Sequence, residues 1–264
     1  MSLSNVKGRW ALVLGASSGF GEAISLKLAE AGMNIAGVHM DRKGTLAHVE
    51  EVVTKIRARG SKAMFFNINA ADKDKRADVL TELAKHSETG IHCLVHSLAF
   101  GSLKPFIAES ASDRISQDQM NMTLDVMAHS LVYWTQDLFD RKMLRKGGRI
   151  YAMTSSGSTR VWPTYGAVSS AKAALESHCR QLALELAKHE ISVNAVRAGV
   201  TDTPALRKIP GNEEMVKIAS ARNPRGRLTT PEDVANLLAL LVHDEAGWLS
   251  GNVLGVDGGE DIVG

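Results

Sequence analysis

A doubly wound α/β sheet of about seven parallel strands, with helices on both faces, is the fold class the sequence predicts. Three observations carry it. Short apolar runs alternate with longer amphipathic stretches from end to end, a glycine-rich turn follows the first apolar run, and no linker or fixed-period repeat interrupts the rhythm. Strand–helix–strand alternation builds βαβ units, and these assemble into parallel sheets covered on both sides. The 264 residues are 44% hydrophobic and 23% charged, which is enough apolar material for a sizeable core and too little charge for disorder.

The first strand is expected over residues 10–14, leading into Gly15-Ala16-Ser17-Ser18-Gly19-Phe20-Gly21 and a helix that opens at Glu22. In this G-x-x-x-G-x-G spacing, Gly15 permits the sharp turn off the strand. Gly19 lets backbone approach a pyrophosphate, and Gly21 lets the helix pack closely on the sheet. Phosphates would meet the N–H groups and positive dipole of the helix start. Because the loop follows the first strand and opens the first helix of a βαβ unit, it has the context that dinucleotide binding requires.

The second strand, over 35–38, runs into His39-Met40 and then Asp41-Arg42-Lys43. Arg42 and Lys43 are suited to clamp a 2′-phosphate, since a planar guanidinium matches phosphate geometry, whereas Asp41 is the residue type that binds an unphosphorylated ribose diol. NADPH is therefore the expected cofactor, with NADH the less favoured one. A helix over 45–58, a strand over 63–68, a helix over 75–85 and a strand over 93–96 follow. A long helix is expected over 117–143, with Met120, Leu124, Met127, Leu131 and Leu138 serving core and subunit contacts, and then a strand over 149–153.

The richest segment opens at Tyr165 and runs as a helix whose apolar positions are Leu175, Cys179, Leu182 and Leu186. Stepping back at three-four spacing reaches Lys172, Val168 and Tyr165, so Tyr165 and Lys172 share the inward face about two turns apart. A lysine on a buried stripe needs partners or becomes neutral, and the nearby helix N-terminus disfavours its charge further. Over such a pair, the ammonium would bind ribose hydroxyls and the phenol would donate where oxyanion charge develops. Ser155, after the fifth strand, is either a second donor or a turn-capping hydroxyl in Thr154-Ser155-Ser156-Gly157.

A sixth strand over 192–196, a helix over 231–242 and a last strand over 253–256 complete the series, giving one domain over 1–264. The segment 204–224 breaks the rhythm with Pro210-Gly211-Asn212. Since ligands sit at the carboxyl ends of strands, it reads as a substrate lid, with an ordinary surface loop the alternative. A formal charge of +2 gives no field for nucleic acid. The apolar stretch at 237–242 is far below the roughly 20 residues of a membrane span. No secretory signal is expected ahead of Lys7-Gly8-Arg9, so a cytoplasmic protein is expected. Cys93 and Cys179 build no disulfide framework, and no Cys/His cluster has zinc spacing, so no metal is expected.

The glycine loop, the Tyr/Lys helix, Asn194-Ala195-Val196-Arg197-Ala198-Gly199 and the terminal Gly251-Asn252-Val253-Leu254-Gly255-Val256-Asp257-Gly258-Gly259 together resemble the short-chain dehydrogenase/reductase family over essentially the whole chain. Most of that family carries Tyr-x-x-x-Lys, and that tyrosine position here is Val168. The spacing Tyr-x6-Lys is similar to the divergent branch that includes NADPH-dependent enoyl-acyl-carrier-protein reductases.

The resemblance implies a Rossmann fold and hydride transfer from NADPH to the β carbon of a trans-2-enoyl thioester on acyl carrier protein, in fatty acid biosynthesis. It implies catalytic roles for Tyr165, Lys172 and Ser155, and a homotetramer. It puts Asn69 and Ala70 beside adenine and Ser97, Leu98 and Ala99 along ribose and nicotinamide. Ala198, Gly199, Val200, Thr201 and Thr203 would line the nicotinamide face, and Phe100 and Trp162 would wall the substrate pocket with Tyr165. The alternative is an NADP(H)-dependent carbonyl reductase of the 3-ketoacyl reductase type, which shares the compact glycine loop and Ser155. His96-Ser97-Leu98-Ala99 departs from the family's usual Asn-Asn-Ala-Gly. Met127 falls where carbonyl-reducing members keep Asn, and Ser155 where some enoyl reductases carry a second Tyr.

The spacing suits conjugate reduction. In an enoyl thioester the hydride goes to the β carbon while charge gathers on the carbonyl oxygen three bonds away. Moving the phenol back three residues, with the lysine fixed on the ribose, shifts it by about 4.5 Å.

Overall fold

The protein is described by a computed structural model over residues 4–263. Seven strands, β1 (Trp10–Leu14), β2 (Asn34–His39), β3 (Ala63–Asn67), β4 (Ile91–His96), β5 (Leu144–Ser155), β6 (Ser192–Ala198) and β7 (Val253–Val256), form one all-parallel sheet in the order β3-β2-β1-β4-β5-β6-β7. Every residue of β1 is buried, and the unbroken apolar run Trp10-Ala11-Leu12-Val13-Leu14 is what a strand covered on both faces requires.

Successive side chains of β1 serve opposite layers. Leu12 and Leu14 pack with helices α3 (Lys73–Ala84), α5 (Ser130–Asp140) and α6 (Gly166–Leu186), through residues such as Leu80, Trp134 and Leu175. Ala11 and Val13 pack with α1 (Gly19–Glu30), α2 (Leu46–Ala58) and α8 (Pro231–Leu241), through Leu28, Ile56 and Leu238. Strand order reverses around β1, between β2 and β4. In such sheets ligands bind outside the carboxyl ends of the strands at this switch point. Leu14 is in register with Val38 and His96, and Ser155 with Ala198, so the residues that follow each strand open onto one edge.

The helix expected over 117–143 is divided into α4 (Gln117–Leu124), a π turn at Asp125–His129 and α5. Buried positions keep three-four spacing across the break, at Thr123, Val126, Ser130 and Trp134, which is why it is silent in the sequence. The first helix starts at Gly19, earlier than Glu22, because Ser18 already has the extended backbone of an N-cap. Strand β5 begins at Leu144, before the expected 149. Segment 204–224 contains a 3-10 turn at Leu206–Lys208 and the helix α7 (Asn212–Arg222), whose single fully buried residue is Ala219. Among the described residues no helix is long and apolar enough to cross a membrane, and no cluster of three His, Cys, Asp or Glu is arranged for a metal ion.

Candidate active site

At the carboxyl edge of the sheet lies a cavity of about 690 Å³. Of the residues expected to bind cofactor, Gly15, Ser17, Ser18, Gly19, Phe20, Asn69, Ala70, Ser97, Leu98, Ala99, Lys172, Ala198, Gly199, Val200, Thr201 and Thr203 all line it. So do Ser155, Tyr165, Phe100 and Trp162. Three do not line it: Gly21, Arg42 and Lys43. A larger cavity, about 1160 Å³, lies at the opposite edge around Arg9, Arg149 and Trp248 and holds none of the expected residues.

The glycine loop is built as a cradle. Gly15 has φ +87°, and a Cβ there would collide with the Ser97 carbonyl oxygen. At Gly21 a Cβ would collide with the Gly15 carbonyl oxygen, so this glycine seats the helix against the turn and acts from behind the cavity. Ser18 makes no side-chain cap bond to the first turn of α1, which leaves N–H groups of that turn open toward the cavity. A chain of phosphates fits this arrangement, because orphan N–H groups and the dipole both favour an anion.

Beyond β2 the charged residues part company. Arg42 and Lys43 are exposed, just beyond the end of β2. The Asp41 carboxylate turns inward and takes a hydrogen bond from His39 Nδ1 at 3.0 Å. Burial raises its pKa, but hydrogen bonds from Ser17 of the glycine loop and from His39 outweigh this and hold the carboxyl below its usual range. His39 itself is buried against the cavity.

Tyr165 stands at the N-cap of α6, and Lys172 follows two turns along the same face. The lysine is 6% exposed, and its ammonium donates to the carbonyls of Met153 at 2.7 Å and Leu98 at 3.5 Å. Burial pushes its pKa down to about 8. An ammonium has three donors, so one remains for the cavity. The Tyr165 ring lies over Gly157, and the Ser155 hydroxyl crowds the same glycine beside it. Burial raises the phenol's pKa while Ser155 pulls it the other way, so it stays protonated at neutral pH. Ser155 Oγ accepts from Gly157 N–H at 3.3 Å, so it caps the turn on which the tyrosine ring rests. The residue before the tyrosine, Thr164, has φ +63°, a conformation that is uncommon for a β-branched residue.

Val168, buried, lines the cavity where most of the resembled family has its tyrosine. Met127 reaches it from the π turn. His96 is fully buried and donates from Nε2 to Ser130 Oγ at 2.8 Å, since the Ser130 hydroxyl is itself spent on the Val126 carbonyl. Burial pushes its pKa down to about 3, so it is a neutral structural group.

Sequence reasoning missed Arg160, Arg222 and Glu260, all of which border the cavity. Each is a lone charge outside any motif, brought there by tertiary contact.

A family model described as "Enoyl-(Acyl carrier protein) reductase" matches residues 15–260. Versicolorin reductase stcU of Emericella nidulans is 28% identical over 271 residues, covering 96% of this chain and 95% of that protein. The enoyl-acyl-carrier-protein reductase (NADH) of Neisseria meningitidis serogroup B is 32% identical over 215 residues, covering 81% of each. The crystal structure of enoyl-acyl-carrier-protein reductase (NADH) from Aquifex aeolicus VF5 superposes with a TM-score of 0.85 at 26% identity, covering 99% of each chain. With its seven parallel strands and glycine cradle, the chain belongs to the short-chain dehydrogenase/reductase family, on its enoyl-acyl-carrier-protein-reductase-like side, and is an NAD(P)-dependent oxidoreductase.

Proposed function

We propose that the chain is an NADPH-dependent reductase of trans-2-enoyl thioesters carried on acyl carrier protein. The observation that carries this reading is the pair Tyr165 and Lys172, seven residues apart on α6, both bordering the cavity, with apolar Val168 between them. When bound, NADPH would supply the hydride that the β carbon accepts. Tyr165 donates a hydrogen bond to the thioester carbonyl oxygen, where negative charge gathers, and Ser155 orients the phenol. Lys172, anchored on two carbonyls, offers its third N–H to a ribose hydroxyl, and its charge favours the developing oxyanion. Phe100, Trp162 and Met127 give an apolar wall that suits an acyl chain. The whole chain is read as one domain, with 204–224 as the lid and a homotetramer as the assembly.

Steady-state oxidation of NADPH with crotonyl and longer enoyl thioesters, beside the matching 3-ketoacyl thioesters, tests the reading. Enoyl turnover is expected. Turnover of the ketoacyl substrate alone would instead establish the second reading, a carbonyl reductase, which is favoured by a serine, Ser155, standing beside Tyr165 and by the versicolorin reductase relative.

The preference for NADPH rests on Asp41. Its carboxylate is occupied by His39, so Arg42 and Lys43 are the free charges at the end of β2. Arg42→Ala is expected to raise the KM for NADPH by about tenfold, with little change for NADH, because one charge-assisted contact to the 2′-phosphate is lost. Equal effects on both cofactors would put the preference elsewhere.

A further inference from the structure

Glu260 is a carboxylate that the fold buries and the chemistry above does not use. It is 2% exposed and opens the 3-10 turn Glu260–Ile262 at the border of the cavity. A charge taken from water needs partners, and here each oxygen has one. Oε2 accepts from the backbone N–H of Val200 at 3.1 Å, and Oε1 pairs with the Arg222 guanidinium at 3.3 Å. Val200 belongs to the loop after β6 that lines the cavity, while Arg222 is the last residue of α7, within segment 204–224. One side chain thus touches both the cofactor-facing loop and the segment over the cavity.

Both sides are shaped for this contact. A Cβ on Gly199 would collide with Thr229 Oγ1 and stand 2.9 Å from Glu260 Oε2, so a larger residue would push the loop off the carboxylate. Gly258 and Gly259, at φ +64° and +90°, turn the chain so that Glu260 enters the interior, and the Asp257 carboxylate caps that turn by accepting from Gly259 N–H at 3.0 Å. Beside it, the Asn223 side chain donates to the Asp257 carbonyl at 2.8 Å, a second tie between the end of α7 and the tail.

We propose that Glu260 is a positioning residue that couples segment 204–224 to the Gly199–Val200 loop, so that binding of the dinucleotide and closure of the segment reinforce each other. The proposal rests on the reading of the cavity as a dinucleotide site. By linkage, whatever the bound dinucleotide does to order the segment, the ordered segment does equally for dinucleotide affinity.

The test uses the full chain and two measurements that do not depend on turnover. These are the Kd for NADPH by isothermal titration, and limited proteolysis within 204–224 with and without saturating NADPH. Thermal melts identify the folded variants. In the unaltered chain NADPH is expected to protect the segment. Glu260→Ala and Arg222→Met cut the tie from its two ends, so each should abolish protection and raise the Kd by about tenfold. The double variant should be no worse than Glu260→Ala alone, because both remove one interaction. Glu260→Gln keeps an oxygen for Val200 N–H and should fall between, and it carries the measurement with Arg222→Met if Glu260→Ala fails to fold. Persistent protection in the single variants, or additive losses in the double variant, overturns the coupling alone. Absence of NADPH binding by the unaltered chain overturns the dinucleotide reading and the coupling with it.

Discussion

Tyr165→Phe lowers kcat on a trans-2-enoyl thioester by about 100- to 1,000-fold, the usual consequence of deleting one oxyanion donor, while NADPH affinity stays near its original value. The asymmetry follows from where the hydroxyl acts. It meets charge that is weak in the bound substrate and strong in the transition state, so its loss falls on kcat. The phenyl ring still covers Gly157, so folding is retained and a thermal melt should move little. Full kcat in this variant, with NADPH saturating, would remove Tyr165 as the donor and leave Ser155, which borders the cavity beside it.

Lys172→Ala loses more, on the order of 1,000-fold in kcat/KM, because it removes a ribose contact and the field that favours the oxyanion together. It also leaves the carbonyls of Met153 and Leu98 without their donor, so a fall in melting temperature accompanies the kinetic loss. The unaltered protein should show the same dependence through pH. Burial lowers the pKa of Lys172 to about 8, so the ammonium is present below that pH and lost as pH rises through it. The profile of kcat/KM, which reports the free protein, should descend on its alkaline side with a midpoint near that value. A flat profile to pH 10 would show that the charge on Lys172 is not required.

The parts of the site legible in the sequence are those held by local spacing. Glycines at 15, 19 and 21 have one reading when they separate a strand from a helix, and Tyr165 and Lys172 announce themselves by sharing a helical face. What spacing cannot give is direction. The string Asp41-Arg42-Lys43 shows three charges, but only the fold reveals that His39 engages the acid and leaves the bases out. Nor does it give tertiary pairing: Glu260 and Arg222 meet across 38 positions of chain with no periodic pattern between them. The π turn at Asp125–His129 was hidden for a third reason, that the buried positions Thr123, Val126, Ser130 and Trp134 keep three-four spacing straight through it.

Helix α6 runs unbroken for 21 residues from the turn that holds Tyr165 and carries Lys172 within it. On such a rod the angular position of a side chain advances by about 100° per residue, so a partner of Lys172 has few choices. Four residues away it is rotated by about 40°, and seven away by about 20° in the other sense. Five or six residues away it points to the back of the helix. Proton-donor placement on this scaffold is therefore a matter of whole steps, and the passage between the two spacings admits no intermediate geometry. Val168, small enough to leave the cavity open and apolar enough to donate nothing, stands on the nearer step, so the donor of this helix is the one a full seven residues from the lysine.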